Sequence, residues 1–426
     1  MYTPIHDFLT EYSKSSALRC HMPGDKGLNH PLDITEIKGA DSLYEADGII
    51  AGSEENAARL YGSGAVCYSC GGSTLSINTM LCMAKQLTRK DTIVAGRYSH
   101  RSLIDSCIML GLKVKWVYPE EYLSADISPE EIEKAIDENT AAVFINSIDY
   151  YGGTSDIRSI GQVCHKKGVL LLVDNAHGAY RIFTETHPIT LGADMCADSA
   201  HKTMPCITGT ALLHLRNREH KRHAKEAMAL FGSSSPSYLM LDSLDLCNRF
   251  IEEEKDTAEK RLGAISYLKE RLSLKGIRVK DSDEMRITID ANSQGYSGYD
   301  FAEELRKSGI ECEMSDDRYV VLLFSVVQPM EDFDKIYDVL THMRKKFAIV
   351  PEERKIIKPK SVIAPRKAFF SITEIVETAA ALGKVCAAVA CPCPPCIPVV
   401  MPGEVITADI IRVLEGYGVE KIRVVM

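Results

Sequence analysis

The chain has 426 residues, of which 45% are hydrophobic and 26% charged, and this length predicts one large domain with one or two smaller ones. That balance excludes a disordered or collagenous chain, and apolar runs such as Ala141 to Ile145 are too short to span a bilayer. The formal charge of −9 comes from 59 acidic and 50 basic residues spread along the sequence, leaving no basic stripe for a phosphate backbone, so neither nucleic acid nor a membrane is an expected partner.

The start, Met1-Tyr2-Thr3-Pro4, has no basic region followed by an apolar stretch and a cleavage site, which predicts a cytoplasmic protein. From about residue 60 to 215, short apolar runs alternate with amphipathic stretches, the pattern of an α/β core with a mainly parallel sheet. Strands are predicted at Thr92 to Ala95, Lys113 to Tyr118, Ala142 to Asn146 and Val169 to Asp174. The last places Asp174 at the C-terminal edge of a buried strand, where open α/β sheets bind ligands. Residues from about Leu239 to Leu274 read as long helices ending near Gly276. A smaller α+β unit follows to about residue 350, with strands at Met285 to Ile289 and Val320 to Phe324 and a helix at Tyr299 to Lys307. After Val350-Pro351 comes a third piece, with a Pro/Cys-rich stretch at Cys391 to Pro398, then Pro402-Gly403-Glu404, a short helix and the apolar end Ile422 to Met426. Of fourteen cysteines, Cys67, Cys82, Cys107, Cys196 and Cys206 sit singly in apolar segments, where a reduced thiol is a small hydrophobe, so no disulfide framework is expected.

The strongest chemical signal is Ser199-Ala200-His201-Lys202-Thr203 downstream of Asp174-Asn175-Ala176-His177-Gly178. A pyridoxal phosphate enzyme needs a lysine to hold the cofactor as a Schiff base and a carboxylate to keep the pyridine nitrogen protonated. Lys202 and Asp174 suit those tasks; taken alone, they read equally well as a surface lysine and a helix cap. Upstream, Ser69-Cys70-Gly71-Gly72-Ser73-Thr74-Leu75 opens a helix with glycines and hydroxyls, which suits a phosphate or a plain cap. His100, after a predicted strand, suits stacking on a cofactor ring or capping a turn, and His177 carries the same two readings.

These elements, in this order, resemble the Orn/Lys/Arg decarboxylase family over nearly the whole chain. His21-Met22-Pro23-Gly24-Asp25-Lys26-Gly27 resembles the family's Pro-Gly-His-Lys-Gly segment, and Asp33 to Glu36 with Asp41-Ser42-Leu43 its next acidic stretch. Asp174 to Ala179 is similar to Asp-Glu-Ala-His-Gly-Ala, and Ser199 to Thr203 to Ser-Thr-His-Lys-Thr. Pro392 to Pro398 with Pro402-Gly403-Glu404 is similar to Pro-Tyr-Pro-Pro-Gly-Ile-Pro followed by Pro-Gly-Glu. The resemblance implies an aspartate aminotransferase-like fold (fold type I) and a homodimer with its active site at the interface. It divides the chain into an N-terminal segment (1–60), a cofactor-binding large domain (61–275), a small α+β domain (276–350) and a C-terminal domain (351–426). It implies pyridoxal 5′-phosphate as cofactor, with Lys202 the Schiff-base lysine, Asp174 the partner of the pyridine nitrogen and His100 stacked on the ring. Gly72, Ser73, Thr74, Ala176, Ser199 and His201 would surround the cofactor, and His177 would lie near the ring and the substrate carboxylate. The reaction implied is decarboxylation of arginine, lysine or ornithine to an amine, a step toward polyamines.

Departures from the pattern fall at Asp25, at Asn175, at Ile148-Asp149-Tyr150, and at Ala388, where the family commonly has a glutamate suited to a distal ammonium or guanidinium. Asp149 is a candidate replacement anion, or else a capping aspartate. The alternative chemistry is transamination or another reaction at Cα, since the protein decides which Cα bond is aligned with the ring; a further reading is a silent relative that keeps only the fold. Cys386, Cys391, Cys393 and Cys396 form the densest thiol group, but no second ligand pair has zinc-ribbon spacing, and no metal is expected.

Overall fold

The computed structural model describes residues 1–25, 27, 29–351, 355–391 and 397–426. Lys26 of the N-terminal motif and residues 392–396 of the Pro/Cys motif lie outside the described residues. Among the described residues, no helix is long and apolar enough to cross a membrane. The chain divides into two compact units, residues 1–83 with 172–350 and residues 84–171 with 351–426.

Seven strands are β1 (Ala65–Ser69), β2 (Thr92–Gly96), β3 (Lys113–Val117), β4 (Thr140–Asn146), β5 (Leu170–Asp174), β6 (Met195–Asp198) and β7 (Ala211–Leu215). In the first unit β6 pairs parallel to β5 and antiparallel to β7, which in turn pairs antiparallel to β1. In the second unit β2 lies between β3 and β4, parallel to both. β1, β6 and β7 are buried at every position, which is why they read as continuous apolar runs rather than alternating ones. The four strands expected from the apolar runs at 92, 113, 142 and 169 are β2 to β5 within two residues at each end.

The N-terminal segment is fastened by buried charge. The Asp41 carboxylate accepts the N–H groups of Ser42 (2.8 Å), Gly48 (2.9 Å) and Ile50 (2.9 Å), organising the entry into the helix Ile49–Tyr61. Buried Lys225 donates to Leu43 O (2.7 Å) and to Glu54, whose carboxylate also accepts Tyr68 N–H of β1 (2.8 Å). Helices Tyr238–Glu253 and Lys255–Leu274 realise the predicted helical stretch. The smaller sheet of the first unit contains β8 (Val279–Lys280), β9 (Arg286–Asp290), β10 (Met314–Ser315) and β11 (Tyr319–Leu323), ordered β10-β11-β9-β8, all antiparallel, with the helix Gly298–Lys307 between β9 and β10 in sequence.

In the second unit, β12 (Thr373–Glu377) pairs antiparallel with β13 (Lys421–Val425), and Ile422 and Val424 pack on Ile410 and Leu414 of the helix Ala408–Gly416. Arg97, just past β2, and Glu404 of the Pro-Gly-Glu motif form a two-pronged ion pair (2.6 and 3.0 Å), 2% and 1% exposed. Arg97 also donates to Val399 O (3.1 Å), its guanidinium lies 5.3 Å from the Trp116 ring centroid, and Glu404 accepts Met401 N–H (2.9 Å). The pair is therefore hydrogen-bonded on both sides, the condition under which a buried ion pair is tolerated. Arg366 adds a second tie, donating to Ile108 O (3.0 Å) and Met109 O (2.6 Å) at the end of the helix Arg101–Leu110. Glu404→Ala, which strands the Arg97 guanidinium, should destabilise the protein by about 3–5 kcal/mol in urea unfolding; a loss below about 1 kcal/mol, the scale of an exposed pair, would contradict this account.

Candidate active site

Asp174 ends β5 and is 7% exposed. One carboxylate oxygen accepts the N–H of Ala176 (3.0 Å), the bond that turns the chain away from the strand. Burial raises its pKa, and the negative charge of Asp198 adds to this, while the Ala176 bond and the positive charge of Lys202 oppose it. A carboxyl so placed calls for a cation, as a protonated pyridine would be.

Lys202 sits on a single helical turn, Ala200–Thr203, directly after β6. Its Nζ lies 2.9 Å from His177 Nε2, bringing together the two sequence motifs that carry these residues. Burial lowers the Lys202 pKa, an effect opposed by the charges of Asp174 and Glu313 and assisted by Arg286. The turn is held from the small sheet's side by Val326 N–H and Ser325 Oγ, which both donate to Thr203 O (3.0 and 3.2 Å).

Ser199 Oγ donates to Ser73 Oγ (2.9 Å), joining the lysine turn to the start of the helix Gly72–Thr88. Gly72 has φ of +64°, a left-handed backbone that favours glycine, and its N–H donates to Gly209 O (2.8 Å). Space is open where a Cβ on Gly72 would stand. The next two residues, Ser73 and the exposed Thr74, bring hydroxyls and first-turn N–H groups that the helix itself does not use. His201 Nδ1 lies 2.8 Å from Thr210 O, so its ring is fixed by the loop before β7. The donor set therefore fits pyridoxal phosphate: an amine of depressed basicity, a buried carboxylate, and a helix N-terminus with hydroxyls for a phosphate.

The remaining sequence candidates lie in the second unit. His100 is partly buried and caps the helix Arg101–Leu110, accepting Ser102 N–H at Nδ1 (3.2 Å). Asp149 follows its capping reading: its oxygens accept the N–H groups of Ala125 (3.0 Å), Tyr151 (2.8 Å) and Gly153 (2.8 Å), so its charge is spent on its own loop and on the segment around Ala125. Ala388 is partly buried. Cys386 belongs to the apolar cluster around Val400 and Val424, and burial pushes its thiol up to about 12, the behaviour of a core residue. Cys393 and Cys396 lie outside the described residues.

Sequence reasoning missed two carboxylates, Glu313, which acts on Lys202, and Asp198, which acts on Asp174. Glu313 precedes β10 by one residue, and nothing in its exposed, charged neighbourhood distinguishes it in the sequence. Asp198 ends β6, and its position after a buried strand, like that of Asp174, was the available signal.

A mainly parallel sheet with a lysine turn and a carboxylate at its strand ends defines the pyridoxal phosphate enzymes of fold type I. The major domain of the Orn/Lys/Arg decarboxylase family matches residues 3–287, and the C-terminal domain of that family matches residues 347–417. The chain belongs to this family. It is 26% identical to an arginine decarboxylase of Bacillus subtilis, over 96% of this chain and 92% of that protein. Its fold is similar to a lysine decarboxylase of Francisella novicida (TM-score 0.80, 17% identity, 100% of this chain and 81% of that one). A constitutive lysine decarboxylase of E. coli is similar to the same degree (TM-score 0.79, 17% identity, covering 100% and 82%).

The balance of charges at Lys202 makes a prediction for the protein free of cofactor. Labelling of Lys202 by an amine-reactive probe should titrate below the ordinary lysine range of about 10.4. Asp174→Asn removes a charge that favours the ammonium, so it should move that titration lower still. An unchanged or higher value in the variant would refute the Asp174–Lys202 interaction.

Proposed function

We propose that this chain is a pyridoxal phosphate-dependent decarboxylase that converts a basic amino acid, arginine, lysine or ornithine, to its amine and carbon dioxide. The observation that carries the reading is the Lys202–His177 contact beside the buried Asp174, within a chain that matches both domains of the family. The cofactor, when bound, supplies the electron sink that accepts the pair left by the departing carboxylate. Lys202 would hold the cofactor through its amine. Asp174 would hold the pyridine nitrogen and favour its protonated form. His177, hydrogen-bonded to Lys202 Nζ, orients that amine and relays a proton to or from it. Gly72, Ser73, Thr74, Ala176, Ser199 and His201 would hold the cofactor, and the family resemblance adds His100 to that set.

Preference for a cationic substrate follows from charge. Asp174 and Glu313 both act on Lys202, and Asp149 is engaged by backbone N–H groups, so Glu313 is the carboxylate proposed to meet a substrate's distal cation. The chain is read as a cytoplasmic homodimer with the site at the interface, serving polyamine formation. The four segments 1–60, 61–275, 276–350 and 351–426 are its proposed domains.

Purified protein loaded with pyridoxal phosphate should release carbon dioxide from at least one of arginine, lysine and ornithine, with the matching amine found by mass spectrometry. Lys202→Ala should abolish that release and the lysine-linked cofactor absorbance together. A keto acid product without carbon dioxide would replace this reading with transamination, and retained lysine-linked absorbance in the variant would sink the assignment of Lys202.

A further inference from the structure

Asn175 follows Asp174 and is fully buried. Its backbone N–H donates to Ala197 O (2.9 Å), prolonging the β5–β6 ladder by one step, and its carbonyl accepts Gly178 N–H (2.7 Å). Its side-chain amide donates to Asp198 Oδ1 (2.8 Å). The turn Asn175–Gly178 closes so tightly that a Cβ on Gly178 would stand 2.1 Å from Asn175 Oδ1. Ala176 and His177 are the two residues inside this turn. The amide thus ties a turn that presents His177 to Lys202 onto a carboxylate on the neighbouring strand.

That carboxylate is embedded in a fully buried group. Asp198 Oδ2 lies 2.9 Å from His187 Nε2 and 3.2 Å from His214 Nε2, and His214 Nδ1 is 2.9 Å from Ser63 Oγ. Both imidazoles pack on Tyr61, with ring centroids at 5.1 and 4.7 Å, and Tyr61 OH donates to Ala179 O (3.2 Å), just past Gly178. Cys196 Sγ lies 3.5 Å from Asp198 Oδ1. The titratable groups facing Asp198 are thus His187 before the helix Pro188–Leu191, His214 of β7, Cys196 of β6, Asp174 of β5 and Tyr61, with Arg181 near Cys196. Burial alone would raise the Asp198 pKa, but the two histidines reverse this and hold it well below the usual carboxylate range.

We infer that Asn175 is a positioning residue, an uncharged donor that clamps the His177 turn onto the ionised Asp198 and so sets the geometry of Asp174, His177 and Lys202. The inference rests on the reading of those three residues as the cofactor site. Position 175 faces an oxygen that stays negative, so a carboxyl group can serve there only while protonated.

The test compares the parent protein with Asn175→Asp and Asn175→Ala between about pH 5 and pH 8.5, spanning the range in which a carboxyl beside a like charge titrates. Two readouts are taken: thermal melting of the cofactor-free protein and the dissociation constant for pyridoxal phosphate. A proton shared between two carboxyls raises the folded-state pKa above the unfolded one. Stability of Asn175→Asp is therefore present below the ordinary carboxylate range and lost as pH rises through the raised value. Its cofactor affinity should approach that of the parent at the acid end and fall roughly tenfold or more at the alkaline end. Asn175→Ala should be weakened at every pH. The swap Asn175→Asp with Asp198→Asn, which leaves a single carboxylate, should remove the added pH dependence. A variant that tracks the parent at all pH values, or one whose melting falls while its cofactor affinity does not, would overturn the inference, as would a swap that keeps the added pH dependence. If the parent binds cofactor but releases no carbon dioxide, the proposed reaction fails while the clamp is still decided by these curves. If the parent binds no cofactor, the cofactor-site reading and its positioning residue fall together.

Discussion

A carboxylate at the end of a buried strand is costly unless a cation meets it, and this constraint at Asp174 organises the first unit. β5 is apolar because both its faces are covered, so the charge can appear only where the strand stops. Lys202 answers it from the turn after β6, the parallel neighbour of β5, because adjacent parallel strands deliver their C-terminal ends to the same edge. Lys202 is itself depressed in basicity by the same burial, which makes its amine easier to deprotonate to the nucleophilic form. Desolvation thus tunes both members of the pair, raising the pKa of the acid and lowering that of the amine.

Behind this pair lies a second layer. Asp198 also ends its strand, but it carries no exposed face and is surrounded by His187, His214 and Asn175. Two carboxyl groups at neighbouring strand ends repel, and Asp198 contributes to the raised pKa of Asp174. His187 and His214 lie against the inner one at 2.9 and 3.2 Å, leaving the outer one to face the site. An amide at 175, rather than a further acid, fits this arrangement because its N–H donates to the Asp198 carboxylate, which a second carboxylate would repel.

The second unit solves a different problem with the same means. Its C-terminal residues have a small apolar core of their own, built on β12, β13 and one helix. They are tied to residues 84–171 by polar contacts, Arg97 with Glu404 and Arg366 on the end of the helix Arg101–Leu110, and by an apolar cluster of Ile104, Ile108 and Met401. The Pro-Gly-Glu motif thus has a structural meaning, its glutamate serving as the buried counter-ion of an arginine at a strand end.

Much of this was written in the sequence. Apolar runs marked β2, β4 and β5, the alternating Lys113-Val114-Lys115-Trp116-Val117 marked β3, and helical composition marked residues 239 to 274, because burial on both faces, one face or one stripe leaves its own trace. The family resemblance singled out Asp174, His177 and Lys202. The antiparallel entry of β1 and β7 and the short β6 were not singled out, since pairing direction leaves no mark on composition. Nor could the sequence separate the two meanings of Asp149, because only the fold shows that three backbone N–H groups consume its charge. By itself the sequence determined which residue types stand at strand ends and hence the class of chemistry. The tertiary structure alone decided which charges meet, Glu313 with Lys202 and Asn175 with Asp198, because electrostatic coupling depends on distance and burial, and neither follows from separation along the chain.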